Sequence, residues 1–390
     1  MLRRVTALTF LFGILLSLAV ITSQAQCSNA PSAFCHPGIL HTKESLLFIR
    51  TQVAAKQEPW LSAFRSFTNH PQSQATWKLR GPFVTVSRDN PPLRIGDIEM
   101  AQDANAAYQN ALLWCLTDNP AHARKAIQIL NAWASTCTAI GGHDRQLAAG
   151  LNGFKLVNAA ELIRHTSTLW KPAEIATFER FVNTVVKPPI NDFATFANGN
   201  WDAACLKTLL AISVFCEDRP LFERACAYYR SGSGNGRLTH YVINETGQCQ
   251  ESGRDQGHTQ LGLGLLAEAC EVAWNQGVDL YGEADNRLLK GFEYTARYNL
   301  GSTVPFVPHV DTTGRYRHTK IAADERGKLS PIYELVVNHY CGRRHLQAPY
   351  SVAAAAKLRP EGPAFHCDHV GFGTLLFSQL ATLPQNTKQK

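Results

Sequence analysis

Three segments of the chain are polar where an otherwise apolar helical rhythm pauses. Asn198-Gly199-Asn200-Trp201-Asp202 stands just ahead of one apolar run. Glu251-Ser252-Gly253-Arg254-Asp255-Gln256-Gly257-His258 opens another, and Tyr294-Thr295-Ala296-Arg297-Tyr298-Asn299-Leu300-Gly301 closes a third. Helix starts present unpaired N–H groups and the positive end of the helix dipole, both suited to a carboxylate. Asn and Arg are donors that stabilise negative charge developing on such a group. His and Tyr can take a proton from carbon or return one to a departing oxygen. Together these parts suit β-elimination across C4–C5 of a uronate, in which the C5 proton leaves and O4 is protonated as it departs. The scheme requires no metal.

Each of these residues also has a purely structural use. Asn198 can take a left-handed or capping conformation, and Asn200 can cap the helix that begins near Asp202. Glu251 and Asp255 fit a helix start as caps or ion-pair partners. His258 can be a hydrogen-bonded structural histidine, and Tyr298 a packed residue with a bonded hydroxyl. Trp201 either stacks on a sugar or fills the core. A glycoside hydrolase would instead use a carboxylate pair, such as Asp202 with Asp255 or Glu251, as acid and base. A non-catalytic carbohydrate-binding protein on the same fold is the third reading. The concentration of Asn, Arg, His and Tyr at polar pauses favours elimination over both.

The elements that must position these groups are helices. Met100, Ala104, Ala107, Tyr108, Ala111 and Cys115 form one apolar face, and Thr117-Asp118-Asn119-Pro120 breaks it. Ala123, Ala126, Ile127, Leu130 and Trp133 begin the next. The same period continues over 147–163, 175–185, 202–216, 219–231, 258–276, 285–298 and 331–340. Residues 238–250 predict a small β-hairpin turning at Asn244 to Gly247. Residues 79–97, rich in Pro, Arg and Gly, predict a loop over a cleft. Gly262 and Gly264 match no dinucleotide fingerprint and predict close helix packing. His366-Cys367-Asp368-His369 matches no strong zinc pattern. The expected fold class is all-α, either an α/α toroid (an incomplete barrel of helical hairpins) or a bundle, with a cleft lined by the polar segments at one end.

Arg3-Arg4, the apolar run Leu8 to Ile21 and Ser23-Gln24-Ala25 have the layout of a signal peptide over 1–25, leaving 26–390 as a single domain. The expected location is therefore secreted, extracellular or periplasmic, with no membrane association after cleavage. A net charge of +7, of which Arg3 and Arg4 supply two, favours an anionic partner. Its positive residues are scattered without basic runs, which disfavours nucleic acid and fits an acidic polysaccharide. All eleven cysteines follow the expected cleavage site, and Cys27 with Cys35 is a plausible local disulfide.

Taken in order, NGNWDAA, ESGRDQGHTQLGLG and EYTARYNLG resemble the alginate-lyase-like superfamily of α/α-toroid polysaccharide lyases, of alginate or glucuronan type. Leu130-Asn131-Ala132-Trp133-Ala134 and the stretch from Arg326-Gly327 to Tyr340 add to the likeness. The resemblance implies a toroid of helical hairpins, an open substrate groove and metal-independent elimination without a cofactor. Carried over, Asn200 neutralises the carboxylate, with Asn198 as second candidate. His258 is the base or a carboxylate contact, and Tyr298 is the proton-transferring tyrosine, with Tyr316 and Tyr333 as rivals. Asn198, Trp201, Glu251, Arg254, Gln256 and Arg326 are the expected substrate-binding residues. Alginate lyases carry an Asn-His pair where this chain reads Asn198-Gly199-Asn200-Trp201.

Overall fold

Helix boundaries follow the local signals. In the computed structural model, which describes residues 33–364 and 368–378, the helix Asp97–Thr117 ends as Asp118 turns left-handed at φ 55°. The next, Pro120–Thr136, starts with Asn119 accepting from the Ala121 N–H and proline in the first turn. In chain order the helices are α1 (Lys43–Ala54), α2 (Trp60–Asn69), α3 (Asp97–Thr117), α4 (Pro120–Thr136), α5 (Arg145–Thr166), α6 (Pro172–Phe181) and α7 (Lys187–Ile190). There follow α8 (Gly199–Phe215), α9 (Arg219–Ser231), α10 (Leu238–Tyr241), α11 (Gln256–Asn275), α12 (Glu283–Asn299), α13 (Tyr333–Val337), α14 (Pro349–Leu358) and α15 (Gly373–Leu376). None of the helices among the described residues is long and apolar enough to cross a membrane.

Two layers are distinguished by burial. α3, α5, α8 and α11 are buried on nearly every side, whereas α4, α6, α9 and α12 bury one face. Small residues let the inner helices approach closely. A Cβ on Gly150 of α5 would meet Ala204 of α8 at 2.9 Å, and one on Gly262 of α11 would meet Tyr241. The inner helices run in the same direction. Asp97 and Trp114 of α3 reach Asn152 and Thr166 of α5, and Gly150 and Gly153 of α5 meet Ala204 and Thr208 of α8. Asn200 and Lys207 of α8 likewise reach Glu251, ahead of α11, and Glu268 within it. Each inner helix is followed by an outer one that returns, so the chain is an α/α toroid, as expected. The short α15 packs on α2 and α1 on α3, filling the space between the last and first hairpins.

The N-termini of α3, α5, α8 and α11 all lie at one end of the toroid, and their C-termini at the other. Inside the ring, Lys207 Nζ donates to Glu268 Oε2 at 2.5 Å and sits 4.3 Å from the centre of the Phe154 ring, fully buried.

Two local expectations need correction. Residues 238–241 are a helical turn, and the hairpin shrinks to one antiparallel bridge between Val242 and Cys249, turning through Asn244 to Gly247. The 79–97 loop contains a strand, β1 (Thr85–Ser87), paired in parallel with β2 (Ala139–Gly141). A further short hairpin, β3 (His309–Val310) with β4 (Arg317–His318), follows α12. Eight cysteines between Cys115 and Cys341 carry free thiols. Cys27, the expected partner of Cys35, the expected leader over 1–25 and His366-Cys367 lie outside the described residues.

Candidate active site

The N-terminal ends of α8 and α11 bring the first two polar segments together. Gly199 is required between the two asparagines: a Cβ there would sit 2.2 Å from the Tyr241 ring and 2.7 Å from the Asn235 carbonyl oxygen. Asn200 turns inward. Its side-chain amide donates to both oxygens of Glu251, at 2.7 and 2.9 Å, and its backbone N–H donates at 3.0 Å. Arg254 Nη1 donates to the same carboxylate at 2.8 Å. Burial pushes the Glu251 carboxyl up, and the Arg254 charge and Asn200 bonds oppose that. Asn198 is placed differently. Its Oδ1 accepts from Gln250 Nε2 at 3.0 Å, while its Nδ2 has no partner among the described residues.

Arg254 links this pair to His258. Asp255 caps α11, accepting from the His258 N–H at 2.6 Å, and its other oxygen meets His258 Nδ1 at 2.7 Å. Arg254 Nη2 lies 3.0 Å from His258 Nε2. Because a guanidinium can only donate, Nε2 is an acceptor and Nδ1 carries the proton toward Asp255. Burial alone would push the Asp255 carboxyl up, but its bonds from His258 and the Arg254 charge hold it below the usual range. His258 is thus a half-exposed imidazole oriented by a carboxylate, its free lone pair facing the guanidinium.

The third segment forms a neighbouring group. Arg326 lies over the Tyr298 ring, 4.0 Å from its centre, and donates to the carbonyls of Tyr298 and Ser302 at 3.0 Å. The Tyr298 hydroxyl has no hydrogen-bond partner among the described residues. Asn299 ties this helix end to α11 by donating to Gln256 Oε1 at 3.0 Å. Gln256 Nε2 in turn donates to the Ala322 carbonyl at 3.0 Å. Gln256 and Glu251, expected at the substrate, are therefore buried and engaged inside the protein, where they position their neighbours. Of the rival tyrosines, Tyr333 is fully buried with its hydroxyl on Gln260 at 3.1 Å, and burial pushes that hydroxyl well up. Tyr316 is half-buried in the turn between β3 and β4.

Trp201 is half-buried, edge-on to His143 and to exposed Phe196. Asp202 is buried and accepts from the Ala194 and Gly236 N–H groups and the Tyr228 hydroxyl. Asp202, Glu251 and Asp255 are each committed to holding the structure, which leaves no free carboxylate pair among them for hydrolysis.

Three histidines were missed by the reading of the sequence. His318, on β4, lies against the backbone beside Arg254: a Cβ on Gly253 would sit 2.3 Å from that of His318. His309 is its cross-strand partner, and His240 is held by the Gly234 carbonyl at 3.0 Å. Burial pushes His318 down, with Arg254 adding to the effect, and burial also pushes His309 down. The turn that carries them is pinned by Asp311. Burial pushes its carboxyl up, but bonds from Thr313, Asn235 and the Tyr316 N–H hold it down at about 2. The available signal was the density of His, Asp and Arg in the Gly-containing stretch 309–318.

A family model described as alginate lyase matches residues 87–304, more than half of the chain and all of the site except Arg326 and the β3–β4 hairpin. An alginate lyase from Bacteroides ovatus shares the fold at a TM-score of 0.59 and 13% identity, covering 88% of this chain and 100% of that one. Alginate lyase A1-III from Sphingomonas species A1 superposes at 0.62 and 14% identity, over 88% and 98%. A histidine-to-alanine variant of A1-III complexed with tetrasaccharide superposes at 0.64 and 15% identity, over 89% and 97%. No curated protein matches the sequence. With the family model covering the helices that carry Asn198, Asn200, Arg254, His258 and Tyr298, this chain belongs to the alginate lyase family and is a polysaccharide lyase.

Proposed function

We propose that the chain cleaves a uronate-containing polysaccharide, of alginate or glucuronan type, by β-elimination that needs no metal, leaving 4,5-unsaturated uronate ends. The observation that carries this reading is the Asp255–His258–Arg254 arrangement at the start of α11. It holds an imidazole lone pair and a guanidinium side by side, at the helix end whose dipole favours an anion. A substrate carboxylate drawn to Arg254 and the Asn198 amide displaces the guanidinium from Nε2. The C5 proton then falls within reach of His258, and Asp255 stabilises the imidazolium that forms. Asn200 and Glu251 act behind these groups, fixing Arg254. Tyr298 is the candidate for protonating O4, and Trp201 for lining the groove. An expected leader accords with an acidic cell-wall or extracellular polymer as substrate.

The test is ultraviolet absorbance of the conjugated C4–C5 double bond, with polymannuronate, polyguluronate and glucuronan offered separately, with and without chelator. A rise on one polymer that chelator leaves unchanged supports the reading and names the substrate. New reducing ends without absorbance overturn elimination.

A further inference from the structure

The opposite end of the toroid carries a cluster that the lyase reading does not use. Glu161 and His165 are one turn apart in the last turns of α5, so they share a face. His36 arrives from the segment ahead of α1, and Glu217 lies just past the end of α8. His36 Nδ1 is 2.7 Å from Glu161 Oε1, and His36 Nε2 is 2.6 Å from Glu217 Oε1. His165 Nε2 is 3.5 Å from Glu161 Oε2, and the two imidazoles stack at 4.2 Å.

The pairing within this group is incomplete. Glu161 is only 1% exposed, yet its Oε2 has no hydrogen-bond partner, and neither does the shielded His165 Nε2. A buried carboxylate oxygen and an imidazole nitrogen thus face each other without a bond. That costs free energy unless a cation or proton lies between them. The His165 ring is stacked on His36 with its shielded Nε2 turned to the Glu161 oxygen, which holds that nitrogen in the cluster. The carbonyl ends of α5 and α8 also point here, and the negative ends of their dipoles favour a cation. Arg164 and Lys43 oppose it, though Arg164 is already engaged by Glu179 and the Phe215 carbonyl.

We propose that His36 Nδ1, His165 Nε2 and the Glu161 carboxylate bind one divalent transition-metal ion of the zinc class. Two imidazoles and a carboxylate are a donor set that zinc accepts, at about 2.0–2.2 Å from each. The ligand atoms lie within 4.8 Å of one another, so modest side-chain rotation closes them on one ion. Without the ion, the contacts of His36 with Glu161 and Glu217 place a proton on each ring nitrogen. The ion displaces the one on Nδ1 to solvent, and Glu217 accepts from Nε2 and fixes the ring, as outer carboxylates do at metal-bound histidines. The ion would fasten the segment before α1 to the ends of α5 and α8. The same segment is already held by the Gly38 N–H on Glu161 and by Gln276 on Cys35 and Gly38. Since the cleft is at the other end, the role is structural and independent of the elimination chemistry.

The experiment titrates the chelator-stripped full chain with Zn2+ alone by calorimetry and repeats it with Co2+, whose visible bands report coordination. Wild type and His369→Gln, which removes an unrelated histidine near the C-terminus, should both bind one equivalent and show a low-coordinate Co2+ spectrum. His36→Gln and His165→Gln should each weaken binding at least about a hundredfold, and Glu217→Gln about tenfold or more. Zinc should also raise the melting temperature of wild type and not of His165→Gln. Absence of binding to the folded wild-type chain, or binding unchanged in a His36→Gln/His165→Gln double variant, overturns the proposal. Glu217, more than half exposed, keeps the test decisive if a ligand variant folds poorly.

Discussion

The Asn200 side-chain amide donates to both oxygens of the buried Glu251 carboxylate, 51 residues further along the chain. An amide so engaged, itself 1% exposed, is turned to the carboxylate that holds Arg254 in place. Asn198 has an unpartnered Nδ2 and is the better placed donor for substrate. Asn198→Ala should therefore lower turnover by about a hundredfold or more, the usual loss for one charge-stabilising donor, with little change in melting temperature. Asn200→Ala and Glu251→Ala should unfold more readily, the latter by about 1–3 kcal/mol because the buried Asn200 amide loses its acceptor. Denaturant midpoints alongside steady-state rates separate the two. Equal stability losses at 198 and 200 would overturn the division of labour.

The Asp255–His258 pair makes a second prediction. His258→Ala should cost at least about a hundredfold in turnover, as loss of a proton-transfer group does. Asp255→Asn tests orientation more finely. Asparagine still caps α11, so the fold should hold. It no longer supplies the anion that selects the Nδ1–H tautomer, so turnover should fall at least about tenfold while KM changes little. A folded Asp255→Asn enzyme with full activity would remove the pair from the mechanism.

Much of this was legible in the sequence, for identifiable reasons. The 3.6-residue period located the helices because apolar faces repeat locally, and the break at Asp118-Asn119-Pro120 is chemistry within four residues. Which helices form the inner layer was not legible, since α5 and α8 are buried all round and bury polar residues such as Asn152, Asn158 and Lys207 as well, so polarity marks no outer face. Leu238 to Ile243 is rich in β-branched and aromatic residues, as a strand is, but a single helical turn at 238–241 seats Tyr241 under Gly199 and Gly262. The inward aim of Asn200 depends on Glu251, and the place of His318 on Gly253. Such long-range contacts leave no local pattern to read.

Tyrosine substitutions decide the proton route. Tyr333 is sealed in the core with its hydroxyl on Gln260, so Tyr333→Phe should keep near-normal turnover and lose about 1 kcal/mol of stability with that bond. Tyr298→Phe should lose about a hundredfold in turnover and retain its fold, since the hydroxyl holds nothing else in place. Tyr316→Phe is the control on the β3–β4 turn. A loss confined to Tyr316→Phe would move the acid from α12 to that hairpin.

Glu361 makes stability depend on pH. Its Oε1 accepts from the N–H groups of Tyr333 and Glu334, its Oε2 is shielded without a partner, and the nearby Glu334 carboxylate is already held by Arg359. Burial, then the Glu334 charge, pushes the Glu361 carboxyl up to about 8 from an ordinary 4.5. The folded chain therefore binds a proton that the unfolded chain releases. Its contribution is full below the ordinary value and is lost as pH rises through about 8, at up to about 1.4 kcal/mol per pH unit. Glu361→Gln keeps the acceptor oxygen and cannot ionise. Urea midpoints of wild type and variant should lie close together near pH 5 and diverge steadily toward pH 8, with the variant the more stable. Parallel curves across that range would mean that Glu361 is ionised in the folded chain, with Arg359 serving both carboxylates.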